Sequence, residues 1–341
     1  MEKKRVTWID TVRAAAMIVV ILGHMHVKKW EQVWAYSFHM PIFFLISGAA
    51  YSLSSKAKAM DTWDYIKYRA KGLVVPYFWL NFLMLPVWIL NFKILGSTKT
   101  PLKKEILGIF VSNAGIIKCP SNATWFLTAL FLTTVCYYLL EKICKYDFAK
   151  IFLWCILIGI CGFLISFTKL RKIYLPWHIN VIPTAMLYFG MGVGFMKSYS
   201  TIMKPFERYR YLYGSLFFMI GSAAGILNGK VSMHGNIYKN GLLFLVSSIF
   251  ISFSLVLLLQ KIPEKIESYL RFIGRNTLVI TAVHCPMLRF LEKFSSQTKL
   301  FVKNYPNVTA VLILIASMLV AWSIKHYFPF MIGEKRKNRV V

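Results

Sequence analysis

Apolar runs recur along the whole chain, separated by short polar stretches rich in Lys and Arg. About 20 mainly apolar residues, rising ~1.5 Å each in a helix, cover the ~30 Å hydrocarbon core of a bilayer. Runs close to that length fall at residues 8–27, 33–53, 73–95, 124–141, 150–168, 182–197, 211–228, 239–260, 276–292 and 306–328. The pattern predicts an all-α polytopic transmembrane helix bundle of about ten spans, one membrane-embedded unit over residues 1–341. The second run is predicted to break at Pro41, which removes a backbone donor and crowds the preceding turn. A broken backbone at membrane depth needs protein or a water-filled cavity over it. The link between the first two runs is short, which makes them antiparallel neighbours and brings His39 in beside the end of the first. Ser47-Gly48 allows a helix to approach closely there.

Polar residues interrupt the first run, WIDTVRAAAMIVVILGHMH, at Asp10, Arg13 and His24. A charge near the bilayer centre costs at least ~2.5–3.5 kcal/mol on insertion scales, so such groups face a protein interior and have a task. Asp10 and Arg13, three apart, are within ion-pair reach on a helix. Arg13 and His24 are separated by three turns plus ~20°, hence share one face ~16 Å apart. One stripe therefore carries a permanent cation near one membrane surface and an imidazole deeper in.

Composition changes the picture little. The 341 residues are 57% hydrophobic, with a mean hydropathy of +0.56. The net charge of +28 would point to nucleic acid in a soluble protein. Here the basic residues lie in loops, where they suit anionic lipid headgroups, so nucleic acid is not an expected partner and membrane lipids are. The amino-terminal segment and alternate loops hold the larger share of Lys and Arg, which places both termini in the cytoplasm and the protein in the plasma membrane. The six cysteines show no metal-ligand spacing and read as small apolar filler. Lys3-Lys4-Arg5 before an apolar run imitates a signal peptide, but no small-residue cleavage site follows, so the first span is expected to be retained.

The stretch from Ser54 to Tyr77 is read as a basic loop. Its Lys67, Arg69 and Lys71 are either a solvated positive-inside cluster or a phosphate-binding patch. In residues 96–123, Leu102 to Val111 is an amphipathic segment suited to the interface. Trp125 beyond it is either an interfacial anchor or a site residue. GMGVG at Gly190 to Gly194 lacks the context of a phosphate loop and reads as a helix contact. His178 and His234 fall in loops as surface groups. Asn276 and Thr277 are natural helix caps, and His284 lies half-way into the ninth run.

These residues match a family pattern. Asp-x-x-Arg with a histidine eleven positions after the Arg, followed by FHMPIFFLISG, resembles the acyltransferase-3 membrane family. The FHMP motif is similar to the fucose-4-O-acetylase-like branch, whose members modify surface polysaccharides. Further likeness comes from Arg69 and Lys71 before Pro76-Tyr77, from Trp125-Phe126-Leu127, and from GRNTLVI with His284. Thr281 departs from the tyrosine that relatives often carry. The resemblance implies a bacterial O-acetyltransferase that uses acetyl-CoA as acyl donor, with no metal, and a sugar or glycolipid acceptor. It implies His24 and His39 as catalytic residues, Arg13, Arg69, Lys71 and Asp10 on the acetyl-CoA side, and Trp125, Asn276 and His284 on the acceptor side.

The residue pattern is compatible with that chemistry. Cations at the inner mouth would hold the phosphates of CoA, and the stripe would lead the thioester to His24. His24 as general base would take the hydroxyl proton, an effect typically worth ~10²–10⁴-fold. His39 would bind the acceptor or polarise the carbonyl. An acyl-histidine intermediate is the other route and would give ping-pong kinetics. Asp10 lies too far along the helix to pair with His24 and is expected to fix Arg13. The rival reading is a transporter or flippase for a glycan or lipid precursor, which intramembrane charges and a broken span would also suit. Against it, the chain shows no internal repeat. His24 and His26 are ~200° apart on a helix and would not converge on one ion.

Overall fold

The computed structural model describes residues 6–55, 59–93 and 101–334, with 91–93 as backbone only. Lys3–Arg5, residues 94–100 and the basic tail from Lys335 lie outside the described residues. The chain folds as an all-α polytopic helix bundle, and nine described segments are long and apolar enough to cross a membrane. In order the helices are α1 (Thr7–His24), α2 (Lys29–Tyr36), α3 (His39–Leu53), α4 (Thr62–Lys93), α5 (Leu102–Val111), α6 (Trp125–Ile143), α7 (Phe148–Phe167), α8 (Ile182–Lys197), α9 (Tyr199–Met203), α10 (Arg210–Asn228), α11 (Gly241–Leu259), α12 (Glu264–Arg275), α13 (Thr277–Phe294), α14 (Ser296–Asn304) and α15 (Pro306–Tyr327). Most sit where the apolar runs place them.

The ninth predicted span, α13, falls short of the apolarity of the other nine. Arg289, Glu292 and Lys293 occupy its last turns. It still lies parallel to α1. Arg275 just before it bonds Asp10, the hydroxyl of Thr281 donates to Met17 Sδ at 3.5 Å, and Glu292 meets His26 at 2.6 Å. Its charged end therefore stands at the face where α1 finishes. That end is called the histidine face below, and the opposite one the amino-terminal face.

The second span is broken, but ahead of Pro41. The interruption falls at Ser37-Phe38, between α2 and α3. Pro41 occupies the first turn of α3, where a missing N–H is tolerated because no intrahelical partner exists for it. The basic stretch before Pro76 is helical as well. α4 starts at Thr62 and runs 32 residues through Pro76 and Pro86, a length of ~48 Å that exceeds the bilayer core by several turns. Neighbouring helices make prolines tolerable in such a segment.

α1 is central. Val12, Ala14, Ala16 and Met17 have no exposed surface, and α2, α3, α11, α12, α13 and α15 all pack on it. α3 in turn crosses α8 at a close backbone approach. Any Cβ on Gly48 would overlap the Phe189 carbonyl, and one on Gly192 the Leu45 carbonyl. The glycine-rich segment is thus a helix contact, as its sequence predicts.

Candidate active site

At the amino-terminal face Asp10 is 1% exposed and lies between two guanidinium groups. Arg13 Nη1 is 3.7 Å away on the next turn of α1, and Arg275 Nε is 3.3 Å away at the end of α12. The approach depends on Gly274, where a side chain would collide with the Asp10 carbonyl. The spacing of Asp10 and Arg13 is legible in the sequence; Arg275 is 265 residues distant and is not. Arg69 belongs to another group: it is half-buried on α4, and its Nε donates to Thr134 Oγ1 on α6 at 3.3 Å. Lys71, two residues on, is exposed. Asn276 holds the cap position of α13 without capping it, because its amide nitrogen donates to the Phe272 carbonyl at 2.7 Å instead.

At the histidine face three imidazoles gather. His24 ends α1, and its ring centroid is 5.2 Å from that of His284. His39 opens α3 with its ring against Tyr36 at 4.8 Å, and Tyr36 also faces His24 at 6.2 Å. Two of the rings are fixed through the backbone: His39 Nδ1 bonds the Ala35 carbonyl at 2.7 Å, and His284 Nδ1 the Ile280 carbonyl at 2.8 Å. A carbonyl only accepts, so in each neutral ring the proton is on Nδ1 and Nε2 keeps its lone pair. His284 directs that nitrogen at the thiol of Cys285, 3.2 Å away. Cys285 is therefore part of the site and not mere filler. His24, His284 and Cys285 each bring one donor atom within 4.8 Å of the others, a set that could hold a zinc-type ion.

His24, Tyr36, His39 and Cys285 line a cavity of about 320 Å³, and the fully buried His284 stands behind that wall. Its long wall is a stripe on α13, Thr277, Thr281, Cys285 and Arg289, about 18 Å from end to end. Val20 and His24 of α1 face the stripe, with Tyr36 and His39 beside them. The lower end begins two residues past Arg275, the partner of Asp10. Trp125 closes the upper end together with His234. His284, Asn276, Asp10, Arg13, Arg69 and Lys71 are not in this wall; Trp125, His24 and His39 are.

His178 and His234 are not surface groups. His178 has no exposed surface, and its ring lies 4.5 Å from His234 and 4.9 Å from Trp125. Burial pushes the His234 imidazole below its ordinary pKa. Trp177 and His178 both adopt left-handed backbone, with φ of 56° and 55°, a conformation that costs about 1–3 kcal/mol per residue and persists only where contacts enforce it. Trp177 Nε1 donates to the Phe110 carbonyl at 2.9 Å and anchors the turn. Nothing in the local sequence signals this pair, since His178, His234 and Trp125 come from two connecting segments and the start of α6, far apart in the chain.

A multi-pass bundle that gathers imidazoles, a thiol and a guanidinium around one cavity is arranged for chemistry at the membrane. The model of the acyltransferase-3 family, an acyltransferase domain, matches residues 6–326, and the chain belongs to that family. It is a multi-pass membrane enzyme of acyl transfer. No curated protein and no solved structure matches it.

Proposed function

We propose that the protein moves the acetyl group of acetyl-CoA to a hydroxyl of a cell-surface or lipid-linked sugar, with His24 as general base. The FHMP motif supports membership of the fucose-4-O-acetylase-like branch of its family. In the plasma membrane, with both termini cytoplasmic, CoA approaches the amino-terminal face and the sugar the histidine face. The observation that carries this reading is the cavity: it extends along the α13 stripe from beside the Asp10–Arg275 pair to His24.

Arg13, backed by Asp10, and the Arg69–Lys71 segment of α4 supply cations for the phosphates of CoA. The thioester then lies beside His24. The sugar oxygen attacks its carbonyl carbon while a ring nitrogen of His24 takes the hydroxyl proton. The new C–O bond forms, the C–S bond breaks, and the proton passes from His24 to the departing CoA thiolate. Hydrogen-bond donors are needed where the oxyanion develops, and the Tyr36 hydroxyl and Arg289 guanidinium are in the cavity wall. His39 is suited to a different role. Its bond to Ala35 leaves Nε2 as an acceptor, so the neutral ring receives a hydroxyl of the sugar rather than polarising the carbonyl. His284 and Trp125 bound the acceptor side, while Asn276 acts only through the junction of α12 and α13.

The test is turnover of radiolabelled acetyl-CoA by purified full-length protein in proteoliposomes, with surface glycan from cells lacking the protein as acceptor. Label transferred to glycan supports the reading. Glycan flux across the bilayer without acetyl-CoA turnover would establish the transporter reading in its place.

A further inference from the structure

A second cavity, of about 270 Å³, adjoins the first. It is bounded by Trp88 on α4, Glu105 on α5, the Lys118–Pro120 loop and the outer turns of α13. Arg289 lies in the walls of both cavities. Glu105 is 3% exposed, and its Oε2 has no hydrogen-bond partner. A carboxylate in that state is costly, because burial removes the water that would otherwise donate to it. The contrast with Asp10 is informative, since Asp10 is just as buried and has a guanidinium on either side. The cations near Glu105 serve the mouth: Lys118, Arg289 and Lys293 are exposed at the rim. The other carboxylate there, Glu292, is taken by His26 at 2.6 Å. The Trp88 indole N–H donates to this carboxylate, which leaves Oε2 as an acceptor without a donor from the protein.

We propose that this second cavity is the acceptor subsite, in which one sugar ring sits with a pair of neighbouring hydroxyls donating to Glu105 while another hydroxyl reaches past Arg289 to His24. The inference rests on the sugar-acetylating reading above and adds where the sugar binds and what grips it. The chemistry of the wall selects the ligand class. An apolar acyl chain would leave Glu105 unmatched, and an anion at that depth would be repelled by it. A polyol answers every group: its hydroxyls donate to the carboxylate and accept from the cationic rim, and its C–H face covers Trp88. The volume equals about nine waters at ~30 Å³ each, room for one six-membered ring.

The experiment uses full-length enzyme in proteoliposomes, radiolabelled acetyl-CoA, and a set of methyl hexopyranosides as acceptor probes. Glu105→Gln keeps the side-chain shape and removes the charge. It should raise the glycoside KM by at least about tenfold, the scale of a lost charge-assisted hydrogen bond, with the Kd for acetyl-CoA unchanged. Lys118→Cys at the rim provides a second arm that leaves the buried wall intact. A bulky maleimide on that cysteine should abolish glycoside transfer without affecting acetyl-CoA binding, and saturating glycoside should slow the labelling. Glycoside KM values within twofold of wild type in Glu105→Gln and in labelled Lys118→Cys would overturn the subsite while leaving the transferase reading in place. A wild-type protein that binds acetyl-CoA but acetylates none of the glycosides or native glycan would overturn both.

Discussion

His24→Ala is the substitution on which the chemistry turns. His24 ends α1, half-buried, with its ring beside those of His284 and Tyr36 and the cavity in front of it. Truncation removes no hydrophobic anchor and opens onto existing space, so the fold and membrane insertion should survive. The loss should appear in kcat, by about 10²–10⁴-fold or ~2.7–5.5 kcal/mol of transition-state stabilisation, because general-base assistance exists only in the transition state. Acetyl-CoA binding should change little, since Arg13 is ~16 Å away along the helix. His284 is the obvious substitute base, but its Nε2 already faces Cys285 at 3.2 Å, and His39 is the ring assigned to the acceptor. Added imidazole should restore part of the rate, as the vacated space adjoins a cavity of about 320 Å³ that admits small solutes. The assay is steady-state acetyl transfer to glycan, with protein amount fixed by quantitative immunoblot of the membranes. A His24→Ala enzyme within tenfold of the wild-type kcat would refute the base assignment.

Other expectations follow from the same geometry. Arg13→Ala should weaken acetyl-CoA binding by about 10–100-fold, the scale of charge-assisted bonds to phosphate, and isothermal titration would show it; an unchanged Kd would remove Arg13 from the donor site. Arg275→Ala should weaken binding less, because Asp10 then keeps Arg13 as its partner and only the position of the guanidinium relaxes. Gly192→Leu should cost at least about 1–3 kcal/mol through overpacking against the Leu45 carbonyl of α3, seen as loss of a monodisperse peak in detergent gel filtration. Burial pushes the Glu105 carboxyl above its ordinary pKa, against the Trp88 hydrogen bond and the pull of Arg289 and Lys118. Only the ionised form accepts from two hydroxyls, so the glycoside KM should rise as pH falls through that raised value and stay flat above it. In Glu105→Gln the acidic limb should disappear, and its persistence would detach the profile from Glu105.

What the sequence discloses and what it hides divide along a physical line. The spans, the shared face of Arg13 and His24, the Asp10–Arg13 pair and the closeness of His39 to the end of the first span are local. They follow from the 3.6-residue period and from one short connection. Arg275 against Asp10, and Cys285 beside two histidines, depend on helices that meet across more than 250 residues, where periodicity is silent. Thr62 as the true start of α4 was masked by charge: basic residues that look like a loop lie on a helix long enough to leave the bilayer. Pro41 marks the interrupted span correctly but sits just inside the new helix, because proline fits a first turn better than the break itself. His178 and His234 look like loop residues and lie in connecting segments; the two segments folding over Trp125 bury the one and half-bury the other.

The interruption at Ser37-Phe38 sets the direction of the local field. It makes His39 and Met40 the opening residues of α3, at the cavity, and α6 begins there too with Trp125 and Phe126. Two helices therefore present their partially positive ends to the space where the thioester oxygen would gain charge. α1 finishes at the same space with His24 as its last residue, offering the partially negative end to the ring that would become cationic. Proton movement toward α1 and electron movement toward α3 and α6 would then both run downhill in a potential built from peptide dipoles alone. An unbroken second span would have carried its positive end out to Lys29, at the membrane surface beyond His24, and left that gradient without one of its sources.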